Sequence, residues 1–376
     1  MGPDLSADRS REAEEGFFMT VPAMRVLKKI RSLIPAPLYR AVKLRYLMHS
    51  RWSRPGHAPD ERHLTVLIDI NNVCNLDCIM CSRGSNQQKT QNMTPEEFTT
   101  IGDRCLHHAR DLQVCCSWEL SISRHAPEIL RLLPRYGVPH TSVITNGFHL
   151  PDDLLEAFFE SGIDEVTISI GEATKETYER IRVKGEFAKT LENISRLVER
   201  KRSLGNDRPD IVANLTIMRS NIDELVEFVN LAADLGMDCV RGRHMMYFEE
   251  CPVEDEILTG DVEQTNMIIE HARRVARQRD IRYDIPLLDP QPRRDHTCFR
   301  PWDSLYISSD GSLSVCPRIK EFEHLGNLLE NDFEDLYYGA ELIKNLRRDF
   351  AAGRHNDICT WCMSGVKERE GISQQF

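Results

Sequence analysis

Between residues 64 and 243, six apolar, β-branched runs alternate with stretches of helical periodicity, and this alternation constrains the fold more than any other feature. The runs are Leu64 to Ile70, Leu112 to Ser117, Thr141 to Thr145, Glu165 to Ile170, Ile211 to Met218 and Asp238 to Arg243. Helical patterns fit between them at Pro95 to Ala109, Pro127 to Leu133, Asp152 to Ser161, Phe187 to Leu204 and Ile222 to Leu235. Strands that each need a crossover before the next one pair in parallel, with right-handed connections. The expected architecture is α/β, a partial (β/α)6 parallel barrel two units short of the closed eight-fold form. A helix at Val262 to Arg277 is expected to end this domain, and the Pro-rich segment Pro286 to Pro292 to link it to a short C-terminal region. The expected units are thus an N-terminal extension at 1–61, the barrel at 62–285, and a small cysteine-rich domain at 286–376.

The 12 cysteines include two sets with ligand spacing. Cys74, Cys78 and Cys81 follow the first strand directly, so the spacing Cys-x3-Cys-x2-Cys sets three thiolates at a strand's C-terminal end, where parallel α/β barrels do their chemistry. A four-iron four-sulfur cluster held by three thiolates keeps one iron without a protein ligand, open to a small molecule. A three-cysteine zinc site with one further ligand and a set of plain thiols are the other readings. The second set is Cys298, Cys316, Cys359 and Cys362. Asp310 and Gly311 between two short apolar runs signal a hairpin whose return strand ends at Cys316, and Cys359 and Cys362 form a chelating knuckle. Four thiolates can saturate a second iron–sulfur cluster or a structural zinc; unbound thiols are the bland alternative.

Composition narrows the classes. A hydrophobic content of 41% supports a sizeable core, and no run of about 18 apolar residues exists to span a membrane. The apolar patch Phe17 to Met24 follows the acidic residues Glu12, Glu14 and Glu15 and makes a poor signal peptide, so the cytoplasm is the expected compartment. There thiols stay reduced, and clustered cysteines more often bind metal than form disulfides. A net charge of -11 argues against a nucleic-acid partner. The charge is uneven, because residues 17–59 hold Lys and Arg but no acid. Leu27, Ile30, Leu33 and Ile34, then Leu38, Val42 and Leu47, fall near helical spacing in this basic arm. It reads as a solvated helical pair packed outside the barrel, with a face also suited to weak contact with an anionic membrane surface or an anionic substrate.

With both cysteine sets in place, the chain resembles the radical S-adenosylmethionine (SAM) superfamily, whose signature is the cysteine triple in the loop after the first barrel strand. Gly311-x4-Cys316, Leu325-Gly-Asn-Leu328 and the closing Cys359-x2-Cys362 look like the SPASM/twitch extension of that family, in the shorter form with one auxiliary cluster. The resemblance covers about residues 64 to 365. It implies a [4Fe-4S] cluster on Cys74, Cys78 and Cys81 whose open iron chelates SAM, and a second [4Fe-4S] auxiliary cluster on Cys298, Cys316, Cys359 and Cys362. Reductive cleavage of SAM would then give a 5'-deoxyadenosyl radical that removes an unactivated hydrogen, with the electron coming from a flavodoxin- or ferredoxin-type reductant. Glu119 fits the family's Glu that holds the SAM amino group, although the flanking glycines and proline of the Gly-Gly-Glu-Pro-like motif are absent. Ser169 would face the ribose or carboxylate, Asn214 is a further candidate contact, and Met80 takes the apolar position near adenine. Gly171 stands where many relatives carry Asp. Read alone, these would be a loop carboxylate, strand residues that pack or bond across strands, and a core methionine.

The substrate must be read from what remains. Arg241 to Cys251, after the sixth strand, mixes Arg, His, Glu and a thiol at the expected mouth of the barrel, which suits a polyol or sugar better than an aliphatic chain. Residues 1–60 are too short and irregular for a typical peptide-leader recognition module. Dehydrogenation or epimerisation of a sugar or aminocyclitol is therefore expected, with peptide maturation or a non-catalytic iron–sulfur or zinc carrier or scaffold as alternatives. Cys251 belongs to neither metal set and is the candidate catalytic hydrogen donor; Cys115 and Cys116 compete for that role.

Overall fold

A computed structural model describes residues 62–81, 90–245, 253–258, 260, 262–288, 298–317, 324–354 and 359, together with the terminal strands Val366–Arg369 and Ile372–Gln375. The basic arm, Cys251 and Cys362 lie outside them.

All six expected strands form: β1 Leu64–Ile68, β2 Ala109–Val114, β3 His140–Thr145, β4 Glu165–Ser169, β5 Asp210–Ile217 and β6 Cys239–His244. The helices between them are α1 Pro95–Cys105, α2 Ala126–Leu132, α3 Asp152–Glu160, α4 Lys175–Ile181, α5 Phe187–Leu204 and α6 Leu225–Leu235, and α7 Val262–Gln278 follows. Local chemistry sets their limits. Thr94 and Glu97 close a reciprocal capping box in front of α1, with Pro95 at the first helical position. Gly205 ends α5 at φ 63°, a left-handed conformation that favours glycine.

The sheet extends beyond the expected six strands. Three further strands on one side and one on the other are β7 Arg282–Asp284, β8 Ser304–Ile307, β9 Ser312–Ser314 and β10 Gly326–Asn327, giving the order β10-β9-β8-β1-β2-β3-β4-β5-β6-β7. Helix α7 therefore does not end the sheet, because β7 pairs in parallel with β6 behind it. Likewise the C-terminal hairpin is no separate layer: β8 pairs in parallel with β1, with Leu305 opposite Val66 and Ile307 opposite Ile68. β7 escaped the sequence reading and the expected hairpin's pairing with β1 was not foreseen, each for a physical reason. β7 is three polar residues without an apolar run, and a hairpin signal says nothing of which sheet edge it will join.

The two faces of the sheet differ chemically. Val66, Ile68, Leu112, Val114, Val143, Val166, Ile168, Ile211, Ala213 and Val240 are at most 1% exposed and form one core with Phe98, Ile129, Phe158, Leu197 and Phe228 of the helices. On the opposite face, by the two-residue alternation, stand Thr65, Asp111, Gln113, Glu165, Asn214 and Arg241, all half-buried. A closed eight-stranded barrel fills its inside with branched apolar side chains. Here half-buried polar groups line much of the inward face, with buried Leu67 and Val212 among them.

Candidate functional site

The cysteine triple sits in the turn after β1, and neighbouring segments fix its backbone. Buried Asn71 accepts from Val73 N at 2.9 Å through Oδ1 and donates to the Glu119 carbonyl at 2.8 Å. Asp77 and Cys78 pair antiparallel with Val183 and Arg182, and Ile79 N donates to Ile181 O at 2.9 Å. Cys81 N closes a turn onto Cys78 O at 3.0 Å. Burial pushes the Cys78 thiol up to about 11, the Arg182 charge opposes this, and Cys74 and Cys81 push further in the same direction. The loop therefore brings both Cys74 and Cys81 near Cys78. A bound metal would hold all three as thiolates.

Behind this loop lies a buried ion pair. Arg182 Nε donates to Glu172 Oε2 at 3.0 Å, with side chains 5% and 0% exposed, and Gly171 N donates to the same oxygen at 3.0 Å. Burial works against the Arg182 charge, but Glu172 and the Cys78 sulfur outweigh it and raise its pKa. The cation is therefore held next to the first cysteine set. Sequence analysis missed Arg182, because a charged residue after a helix reads as solvated surface.

The loop after β2 is built on strain. Cys115, two residues before the positions where the resembled motif carries its glycines, has φ 58°, a left-handed conformation uncommon for a residue with a side chain. This turn aims Cys116 N and Ser117 N at Asp69 Oδ1, at 2.7 and 3.0 Å, while Tyr306 Oη of β8 donates to Asp69 Oδ2 at 2.6 Å. Asp69 thereby couples β1, the β2 loop and the C-terminal hairpin. Glu119 is 3% exposed. Its Oε1 accepts from Ser121 N at 3.0 Å, Ser121 Oγ at 2.7 Å and Thr145 Oγ1 at 2.6 Å, and its Oε2 accepts from Asn146 N at 2.7 Å. A carboxylate has about four acceptor sites. In this structure Glu119 spends them on joining the β2 and β3 loops. Asn146 then donates to Asn75 Oδ1 at 2.7 Å and lies 4.0 Å from Cys74 Sγ. Asn146 is the second residue that sequence analysis missed; its signal was the Asn-Gly turn at the end of β3, where Gly147 has φ 72°.

Ser169 and Asn214 come together as register partners on β4 and β5. The same layer runs on through Arg241 of β6, opposite Asn214, to Asp284 of β7, opposite Arg241. Arg241 makes a bidentate pair with Glu165, at 2.6 and 2.8 Å, and its Nε lies 3.8 Å from Asp284 Oδ2. Met80 packs in an apolar cluster with Ile79, Ile181, Met218, Met245 and Ile257. Of the two competing thiols, Cys115 is fully buried and its pKa is raised by burial and then by Asp69, whereas Cys116 is half-buried. In the second set, Cys298 and Cys359 pack on one cluster around Trp302 and Phe350, while Cys316 lies against the main core just after β9. Cys298 and Cys359, far apart in the chain, thus pack on the same cluster, and Cys359 also lies against the main core that Cys316 touches.

Comparison with known proteins agrees with this geometry. The pattern of the radical SAM superfamily matches residues 68–232, and that of SPASM, an iron–sulfur cluster-binding domain, matches residues 298–363. A probable GTP 3',8-cyclase of Saccharolobus islandicus is 23% identical over 171 residues, which are 46% of this chain and 53% of the relative. A probable GTP 3',8-cyclase of Methanocaldococcus jannaschii is 24% identical over 199 residues, 50% of this chain and 64% of the relative. The matched stretch thus spans about half to two thirds of these curated relatives. Streptococcus suis SuiB bound to S-adenosylmethionine superposes with a TM-score of 0.64 at 13% identity, over 87% of this chain and 78% of its own. anSMEcpe with bound AdoMet and the Cp18Cys peptide superposes with a TM-score of 0.57 at 14% identity, over 84% of this chain and 93% of its own. A [4Fe-4S] cluster that binds SAM and an auxiliary cluster are the cofactors that the two domains bring. The chain belongs to the radical SAM superfamily, in the subgroup that carries a SPASM domain.

Proposed function

We propose that this radical SAM enzyme abstracts hydrogen from a polar, carbohydrate-like substrate such as a sugar or aminocyclitol, leading to its dehydrogenation or epimerisation. The observation that carries the reading is the polar layer Ser169, Asn214, Arg241 and Asp284, set across four strands on the concave face. Hydroxyl, amide, guanidinium and carboxylate groups in one row match a substrate rich in hydroxyl and amino groups.

In this reading Cys74, Cys78 and Cys81 hold the SAM cluster, and Cys298, Cys316, Cys359 and Cys362 the auxiliary one. When bound, the first cluster and SAM supply a 5'-deoxyadenosyl radical for hydrogen abstraction. The chain's own residues do the positioning. Asn146 steadies Asn75 beside Cys74, and Ser169 and Asn214 offer polar contacts to the cofactor. Glu119 acts through the backbone it holds, not as a direct ligand of the amino group. Met80 contributes an apolar wall. Arg241, fixed by Glu165, presents its remaining donor edge to substrate. Cys251 is the candidate hydrogen donor in an epimerisation, and a flavodoxin- or ferredoxin-type protein the electron source.

The test is formation of 5'-deoxyadenosine by anaerobically reconstituted protein, with sugar nucleotides, aminocyclitols and peptides offered in parallel. A sugar or aminocyclitol should raise the rate at least about ten-fold over the uncoupled rate. Stimulation by peptides alone would overturn the substrate reading. Cys251→Ala separates the two outcomes, since an epimerase should then form deoxyadenosine with little epimer, and a dehydrogenase should be unaffected.

A further inference from the structure

The base of the sheet carries another set of donor side chains, at the end opposite the cysteine loop. After α1 the chain makes the tight turn Leu106–His108 and enters β2 at Ala109. His107 is half-buried and His108 buried, with ring centroids 4.0 Å apart. The C-terminal segment docks on this turn. Arg104 donates to the carbonyls of Leu328 and Asn331 at 2.6 and 2.9 Å, and the Phe333 ring lies 4.9 Å from that of His108. Docking brings Glu334 Oε1 to 3.7 Å from His108 Nε2. One ring nitrogen of each histidine and one carboxylate oxygen of Glu334 then lie within 4.8 Å of one another.

We propose that His107, His108 and Glu334 form a divalent-cation site, suited best to zinc, that clips the C-terminal segment to the base of the sheet. Two imidazoles and a carboxylate are a zinc donor set, with water completing the tetrahedron. Hard cations such as Mg2+ and Ca2+ prefer all-oxygen ligands and fit less well. Tetrahedral zinc needs donor separations of roughly 3.4 Å, which follows from bonds of about 2.1 Å. The half-exposed Glu334 side chain can close that gap by rotation, because solvent lies on its outer side. Arg62 stands nearby, its guanidinium bonded to the carbonyls of Leu106, Ala109 and Tyr136. That positive charge opposes a cation and makes the Glu334 charge necessary.

The test uses full-length, tag-free protein with its iron–sulfur clusters in place, cleared of other metals by a chelator and titrated with zinc. Wild type should take up one zinc that Glu334→Gln and His107→Ala each bind at least about 100-fold more weakly, at unchanged iron content. Zinc should raise the thermal midpoint of wild type by several degrees and leave the variants unmoved. With cobalt in place of zinc, the visible bands should come without the intense near-ultraviolet charge transfer of thiolate ligation. Equal zinc uptake by wild type and both variants, or cobalt bound only through thiolates, would overturn the proposal.

Discussion

Gly171 has no room for a side chain. A Cβ built there would meet Leu215 Cβ at 2.2 Å and Leu215 Cα at 3.2 Å, so the acid that many relatives carry cannot fit between β4 and β5 in this chain. Gly171→Ala should therefore destabilise the protein by about 1–3 kcal/mol through overpacking, read as a lowered thermal midpoint. An unchanged midpoint would mean that the strands move apart at little cost. Glu119 makes a different argument. Gln in its place keeps the size but turns an acceptor into a donor facing the N–H and O–H groups that now bond to it. Glu119→Gln should lose about 1–3 kcal/mol of stability and weaken SAM binding indirectly, measured by calorimetry and by equilibrium binding. If stability holds and only SAM binding falls, Glu119 contacts the cofactor directly.

Two ion pairs tie elements together. The Arg182–Glu172 pair backs the short ribbon that carries Cys78, and removing one partner leaves a bare buried charge. Arg182→Met should cost about 3–5 kcal/mol and lower iron loading of the first cluster, whereas Arg182→Met with Glu172→Gln should recover much of the stability. Iron content and thermal midpoints of the singles and the double variant decide this; a double variant as unstable as the sum would show that the two side chains act separately. Glu165, joined to Arg241 across β4 and β6, gives a pH dependence. Burial would raise its pKa, but the Arg241 hydrogen bonds and charge outweigh that and hold it below the usual carboxylate range. A folded-state pKa below the unfolded one stabilises at neutral pH, and that stabilisation is lost as pH falls through the lowered value. Glu165→Gln should thus be less stable than wild type at pH 7, with the gap closing below about pH 4. A gap that is constant with pH would assign the effect to packing.

At the scale of the whole molecule, both domains should load metal together. Reconstituted protein is expected to bind about eight irons, and changing Cys74, Cys78 and Cys81 together to Ala should abolish reductive formation of 5'-deoxyadenosine. About four irons plus zinc at the C-terminal cysteines would remove the auxiliary cluster and with it an oxidative route through that site. Among the described residues no helix is long and apolar enough to cross a membrane. The alternation of strands and helices, the limits of α5 and the place of the cysteine triple could be read from local pattern, because periodicity, caps and spacing act over a few residues. Edge strands without an apolar pattern, the partners of Asp69 and Glu119, and the Arg182 pair could not. Each depends on segments far apart in sequence, such as Tyr306 reaching Asp69 or Asn146 reaching Asn75, and burial alone turns these ordinary polar residues into fixed supports of the site. The sequence by itself determined the layered α/β plan and the chemistry of the cysteines; only tertiary packing decided which polar groups lose water together and must satisfy one another.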